Sequence, residues 1–169
     1  TYIFRGQKAA SGFISNYNFK SKLIYKPLFG SQGDNIRLIE RPSDLEKLEN
    51  QTNIYYFQEY LDNSPNYDYR VLVINNNDNI KYFYMTRYGE TFINNFSKGA
   101  KCIKEKLNED VIELAIKSSR LLNIDFCGVD IIEYKRQYYV IEVNSIPAWK
   151  GLQKVESANI SDYITSLFA

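Results

Sequence analysis

The chain has 169 residues, 21 basic and 20 acidic side chains, a formal charge of +1 and no histidine. That length is about one ordinary domain; the near-balance of charge excludes a strong electrostatic preference for nucleic acid or a membrane surface, and the missing imidazole excludes Ser-His-Asp and Cys-His mechanisms within this chain. Cys102 and Cys127 lack C-x-x-C spacing and suggest neither a disulfide framework nor a zinc site, and without a bilayer-length apolar run or a signal-peptide pattern the sequence reads as that of a soluble, cytoplasmic protein.

Thr1 opens the chain without an initiator methionine, in what reads as the middle of an element, so a piece of a longer protein is expected. Residues Gly6 to Tyr17 predict a short helix leading to a strand at Leu23 to Pro27, whose proline suits a strand end. Leu28-Phe29-Gly30-Ser31-Gln32-Gly33 is a glycine-punctuated turn before a second strand at Ile36 to Ile39. Ser43-Asp44-Leu45-Glu46 has the spacing of a capping box for a helix ending near Asn50. Ile54 to Tyr60 is β-rich, Leu61 to Tyr67 a loop, and Tyr69 to Ile74 and Ile80 to Arg87 are strands joined by a turn at Asn75 to Asp78. From Asn108 to Leu122 the apolar residues Val111, Leu114, Ala115, Leu121 and Leu122 recur at helical spacing, with Asn108 as the cap and Glu109 and Asp110 favourable in the first turn. A hairpin of two apolar strands follows, then an irregular loop from Asn144 to about Asn159, and a last short helix at Asp162 to Phe168 capped by Ser161. Strands interrupted by helices predict an α+β domain.

Chemistry concentrates in the hairpin. With its turn at Lys135-Arg136-Gln137 and Tyr134 opposite Tyr138, Asp130 falls opposite Glu142 and Asn144 follows on the same face. Like charges across a ladder are unfavourable, and the flanking Val129, Ile131, Ile132, Val140, Ile141 and Val143 take the sheet out of water. A divalent cation resolves the conflict, and two carboxylates with an amide oxygen are hard ligands that suit magnesium; on the pattern alone, a surface face satisfied by lysines is the alternative. Lys26 with Gly30, Ser31, Gln32 and Gly33 has the parts of a phosphate cradle, though not of a Walker A loop, and a plain turn is the other reading. Gln58, Glu59, Tyr60 and Leu61 end a strand with backbone groups able to read an adenine edge, and Asp68 could accept from a ribose hydroxyl, against an ordinary strand end and a solvated aspartate. Arg70 and Arg87 offer forked donors for a phosphoryl or carboxylate group, and Asn95 lies in a polar loop able to close over the same site.

Taken in order, YKPLFGSQG, FQEYL, YDYRVLVI, NNFSKGAKC, FCGVDII and YYVIEVNSIPAWKGLQ resemble the ATP-grasp superfamily, specifically the RimK-like α-L-glutamate ligases, from about Lys22 to the C-terminus. The ending Ile146-Pro147-Ala148-Trp149-Lys150-Gly151-Leu152 is most similar to the tetrahydromethanopterin:α-L-glutamate ligase branch. The resemblance implies an ATP-grasp fold of antiparallel sheets with flanking helices, its N-terminal domain absent from this chain. Residues 1–60 would be the smaller, nucleotide-covering subdomain and 61–169 the subdomain with the metal site. It implies ATP with magnesium, or manganese in its place, held by Asp130, Glu142 and Asn144; phosphate at Lys26; adenine at Gln58 to Leu61; ribose at Asp68; and Arg70, Arg87 and Asn95 at the γ-phosphate and activated acyl group. The implied reaction joins an amino acid, L-glutamate in the nearest branch, to a carboxylate acceptor on a small-molecule cofactor, protein or peptide, with no nucleic acid or membrane partner and with room for a homo-oligomer. A catalytically incomplete nucleotide-binding module and a purely structural α+β domain are the competing expectations. Two departures stand out: the family's upstream nucleotide lysine has no match here, Lys8 lacking the context, and Asp34-Asn35 replaces a loop end that is often basic or glycine.

Overall fold

The computed structural model describes residues 1–29, 33–63, 65–76, 79–90 and 99–168. The chain divides into two compact units, Thr1–Leu61 and Asp62–Ala169.

The first unit is a four-stranded antiparallel sheet with a helix on one face. Its elements are β1 (Tyr2–Arg5), α1 (Gln7–Asn16), β2 (Leu23–Lys26), β3 (Arg37–Ile39) and β4 (Ile54–Glu59), with strand order β1-β4-β2-β3. The period of two along each strand sends Leu23, Tyr25, Tyr55 and Phe57 against Ala10 and Ile14 of α1. Aromatic rings fill that layer, with Phe13 centred 4.6 Å from Tyr2 and 4.8 Å from Phe4. The alternate residues Ile24, Lys26, Leu38, Tyr56 and Gln58 are half-buried on the other face. The capping box expected at Ser43 is not formed. Residues Pro42–Lys47 make a 3₁₀ helix whose N-cap is Arg41, without a side-chain cap. Pro42, with φ fixed and no N–H to satisfy, starts the helix two residues early, and Asp44 instead accepts from the Glu40 amide at 3.1 Å and from Lys47 Nζ at 3.0 Å.

The second unit is a five-stranded antiparallel sheet of order β7-β6-β5-β8-β9, built from β5 (Tyr67–Asn76), β6 (Asn79–Tyr88), β7 (Lys101–Ile103), β8 (Phe126–Tyr134) and β9 (Gln137–Asn144). The helix α2 (Glu109–Leu121) begins as expected, Asn108 Oδ1 accepting from the Asp110 amide at 3.0 Å. Its Val111 and Ala115 cover Val71, Val73, Cys127, Val129 and Ile131 on one face of the sheet. The opposite face is divided. At one end Leu72, Ile74, Phe83 and Met85 pack with Leu152 of α3 (Lys150–Gln153) and Ile160 of α4 (Ile160–Thr165); the other end carries charge. Asn159, not Ser161, caps α4. Among the described residues no helix is long and apolar enough to cross a membrane.

The β8–β9 hairpin corrects the expected turn. Lys135 and Arg136 have φ of 51° and 63°, the paired left-handed conformations of a type I′ turn, so Tyr134 pairs with Gln137 rather than with Tyr138. The resulting one-residue offset does not persist. Ile131 pairs with Val140 and Asp130 with Glu142, leaving Ile141 as the extra residue of a β-bulge. The bulge restores the facing of Asp130 and Glu142, because each residue of slip turns a side chain to the opposite face.

Candidate functional site

Strand register builds the charged end of the second sheet. Asp68 pairs with Arg87, Arg70 with Asp130, Asp130 with Glu142 and Gly128 with Asn144. Residues directly paired, or two apart on one strand, share a face, so Asp68, Arg70, Arg87, Asp130, Glu142 and Asn144 converge on one side of four neighbouring strands. Arg70 donates through Nε and Nη2 to the two carboxylate oxygens of Asp130, the second bond 2.6 Å long. Arg87 grips Asp68 in the same forked way, at 2.6 and 2.8 Å, and its Nη2 also lies 3.1 Å from Asp130 Oδ1. All four side chains are buried. Both arginines are therefore held along their Nε–Nη2 edges, and Nη1 of neither takes part in these bonds.

The two aspartates respond differently to the same burial. Burial pushes Asp68 up to about 6, against the attraction of Arg87 and with the charge of Asp130 adding to the rise. Burial opposes the charge on Asp130 as well, but Arg87 and Arg70 together outweigh it and hold that carboxyl below the usual carboxylate range. Asp130 is thus the ionised centre of the cluster.

Asp130 Oδ1 accepts from both arginines while Oδ2 accepts from Arg70 alone, which leaves acceptor capacity on Oδ2. Beside it, Glu142 is exposed and Asn144 half-buried, and neither side chain makes a hydrogen bond or ion pair among the described residues. These hard oxygens fit a divalent cation. No group of three or more His, Cys, Asp or Glu side chains suited to a metal occurs among the described residues, so the fit is to a cation that takes one or two carboxylates and completes its shell with water and phosphate, as magnesium does.

In the first unit, Lys26 and Gln58 share the sheet face opposite α1. Tyr56, which no sequence motif singles out, lies between them: it pairs with Ile3 on one side and Lys26 on the other, and its hydroxyl accepts from Gln58 Nε2 at 2.9 Å. Strand parity alone could have found it, since Tyr56 and Gln58 are two apart. Glu59 is exposed at the strand end, and Leu61 is half-buried as the last residue of the unit. The Tyr60 amide donates to the Lys22 carbonyl at 2.8 Å, so this N–H extends the β2–β4 ladder instead of facing a ligand. Gly33 has a φ of 76°, a conformation that favours glycine and supports the predicted turn. Gly30, Ser31, Gln32 and Asn95 lie outside the described residues.

The sequence matches the RimK-like ATP-grasp domain over residues 1–167. The chain belongs to that family. It is 31% identical to the tetrahydromethanopterin:α-L-glutamate ligase of Methanocaldococcus jannaschii over 82% of this chain and 50% of the relative, and 31% identical to the α-aminoadipate–LysW ligase LysX of Saccharolobus solfataricus over 84% and 54%. A probable α-L-glutamate ligase of Haemophilus influenzae is 32% identical over 97% of this chain and 57% of its own length. The chain thus spans about half the length of the curated relatives it matches. Among solved structures, the ATP-grasp ligase PsnB complexed with a minimal precursor, Mg and ADP superposes with a TM-score of 0.63 at 18% identity, covering 99% of this chain and 52% of PsnB. The D-alanine-D-alanine ligase of Helicobacter pylori superposes with a TM-score of 0.65 at 14% identity, covering 99% and 53%. These likenesses fix the fold as ATP-grasp.

Proposed function

We propose that the protein is an ATP- and magnesium-dependent carboxylate-amine ligase of the cytoplasm. The observation that carries this reading is the alignment of Asp130, Glu142 and Asn144 beside two arginines whose outer edges are fixed by aspartates. In the reaction, a carboxylate oxygen of the acceptor attacks the γ-phosphorus of ATP and ADP leaves; the amine of an amino acid then attacks the acyl carbon, phosphate leaves, and the amine loses a proton as the amide forms. Asp130, Glu142 and Asn144 would hold magnesium, or manganese in its place, which supplies charge neutralisation on the nucleotide phosphates.

The chain's own residues bind, orient and neutralise. Arg70 and Arg87 present their Nη1 groups to the transferring phosphoryl and acyl oxygens, with Asn95 as a third donor. Their positions are set in advance by Asp68 and Asp130, so little reorganisation is needed as charge develops. Lys26 with Gly30, Ser31, Gln32 and Gly33 covers the phosphates. Adenine lies against Tyr56 and Gln58 and along Glu59, Tyr60 and Leu61. Asp68 holds Arg87 through both of its oxygens, and each keeps acceptor capacity for a ribose hydroxyl. Neither step needs an imidazole, in agreement with a chain that has none.

L-Glutamate is the proposed amino acid, supported by the names of two of these relatives, while the name of the third gives α-aminoadipate and LysW instead. The direct test is ADP release with L-glutamate and a panel of carboxylate acceptors, with hydroxylamine added to trap the acyl phosphate as a hydroxamate. Acceptor-dependent ADP and hydroxamate support the ligase. A second reading is a nucleotide-binding module without turnover; magnesium-dependent nucleotide binding with no hydroxamate from any acceptor would favour it.

A further inference from the structure

Glycine weakens a strand interior and needs a reason to be there. Gly128 is the second residue of a run in β8 that is buried from Cys127 to Ile132. On the face that carries the charged cluster, β8 presents Phe126, Gly128 and Asp130 in turn, and the chain leaving β9 returns along that row. Asn144 pairs with Gly128 in the ladder. Three residues later Pro147 is buried, and a methyl group on Gly128 would lie 2.8 Å from Pro147 Cβ, 3.4 Å from Arg70 Cδ and 3.6 Å from Arg70 Nη1. Trp149 then meets the Phe126 ring edge to face, with centroids 6.1 Å apart. The segment is seated on β8 at three successive points, and the intervening Ile146 is left 92% exposed.

We propose that Gly128 is a positioning residue: its bare Cα is the seat on which Pro147 and Arg70 both close, and this seat fixes Asn144 and the Arg70 guanidinium relative to Asp130. The proposal rests on the ligase reading for what those groups bind. A side chain at this position forces Pro147 back by about 0.6 Å to reach ordinary contact at 3.4 Å. Binding constellations tolerate displacements of only about 0.5 Å. Pro147 cannot rotate out of the way as a flexible side chain would, so the backbone carrying Asn144 takes up the movement. Arg70 has nowhere to retreat across the sheet either, since its Nε–Nη2 edge is already bound to Asp130.

The test compares wild type, Gly128→Ala, Pro147→Gly and the double variant in two measurements. The first is the emission of Trp149, the chain's sole tryptophan, which reports whether the segment is seated on Phe126. The second is the affinity for a non-hydrolysable ATP analogue with magnesium and, separately, with EDTA. Gly128→Ala is expected to red-shift Trp149 and to weaken analogue binding in magnesium by about 10- to 100-fold, the usual cost of losing a supporting contact at a metal site. Binding in EDTA should change far less, a split that a loss of general stability would not produce. Pro147→Gly removes the Cβ that the alanine meets, so in that background Gly128→Ala should have little further effect on either readout. A Gly128→Ala protein with wild-type emission and magnesium-dependent affinity overturns the proposal, as does an alanine effect of equal size in both backgrounds. Should wild type show no magnesium-dependent binding, the ligase reading fails and the emission series alone decides whether the seat exists.

Discussion

One face of the second sheet carries two clusters that are equally buried and opposite in kind. At one end Leu72, Ile74, Phe83 and Met85 pack under Leu152 and Ile160; at the other Asp68, Arg70, Arg87 and Asp130 form an interlocked set of ion pairs. Burial of the apolar end is favourable at roughly 25 cal/mol per Å². Burial of the charged end costs several kcal/mol per ion and is offset only by pairing and hydrogen bonds of good geometry. The same strands thus hold a part that stabilises the fold and a part that is kept against its own desolvation cost. A buried cluster of the second kind is what a site for polyphosphate and carboxylate requires.

Glu142 separates the two ends most sharply. Glu142→Gln should reduce turnover by about a thousandfold or more, equivalent to several kcal/mol of charge stabilisation, with an unchanged thermal midpoint because the side chain is exposed and makes no ion pair among the described residues. Asp130→Ala, which strands the buried Arg70 guanidinium and leaves Arg87 with Asp68 alone, should cost about 3–5 kcal/mol of stability by denaturant titration and abolish activity as well. Leu72→Ala in the apolar cluster should cost about 2–5 kcal/mol while leaving magnesium-dependent nucleotide affinity intact, so that stability is lost at both ends but binding at only one. Replacing Arg70 and Asp130 together by methionine and leucine sharpens the contrast: stability should be unchanged or improved by about 1–4 kcal/mol, with no ligase activity.

The smallest effect is a pH dependence. Asp68 sits at about 6 when folded against an ordinary value of 3.8, so the folded chain holds this proton more tightly than the unfolded one. Its contribution therefore favours folding at low pH and is lost as pH rises through the window between those values. Asp130, held below the usual range, contributes in the opposite sense, and its share is lost as pH falls. Asp68→Asn should flatten the decline in unfolding free energy between pH 4 and pH 6; an unchanged slope would assign the titration to another group.

Elements that stabilise themselves locally were legible in the sequence. The helix α2 announces itself by spacing and by Asn108, and the alternation of β8 and β9 led to Asp130 facing Glu142. The facing holds for a reason the sequence concealed: the turn is one residue shorter than Lys135-Arg136-Gln137, and the bulge at Ile141 cancels the difference. Nothing in a run of Val, Ile and Glu marks which residue will bulge. The strands β1 and β7, of four and three residues, have no signal of their own because they exist by pairing with β4 and β6. The single turn of α3 is held by Leu152 in the core rather than by helical pattern. At the site, residue types were readable and partners were not: Asp68 reads as a solvated aspartate until the β5–β6 register sets it across from Arg87.

We propose above that Asp130, Glu142 and Asn144 hold the metal of a nucleotide site and that Lys26 meets phosphate. Calorimetric titration with magnesium and a non-hydrolysable ATP analogue, on wild type, Lys26→Ala and Glu142→Gln, tests it most directly. Binding in wild type should be far tighter in magnesium than in EDTA, and that magnesium-dependent affinity should be lost in both variants. Binding that is indifferent to magnesium, or that survives Glu142→Gln at full strength, would contradict the proposal.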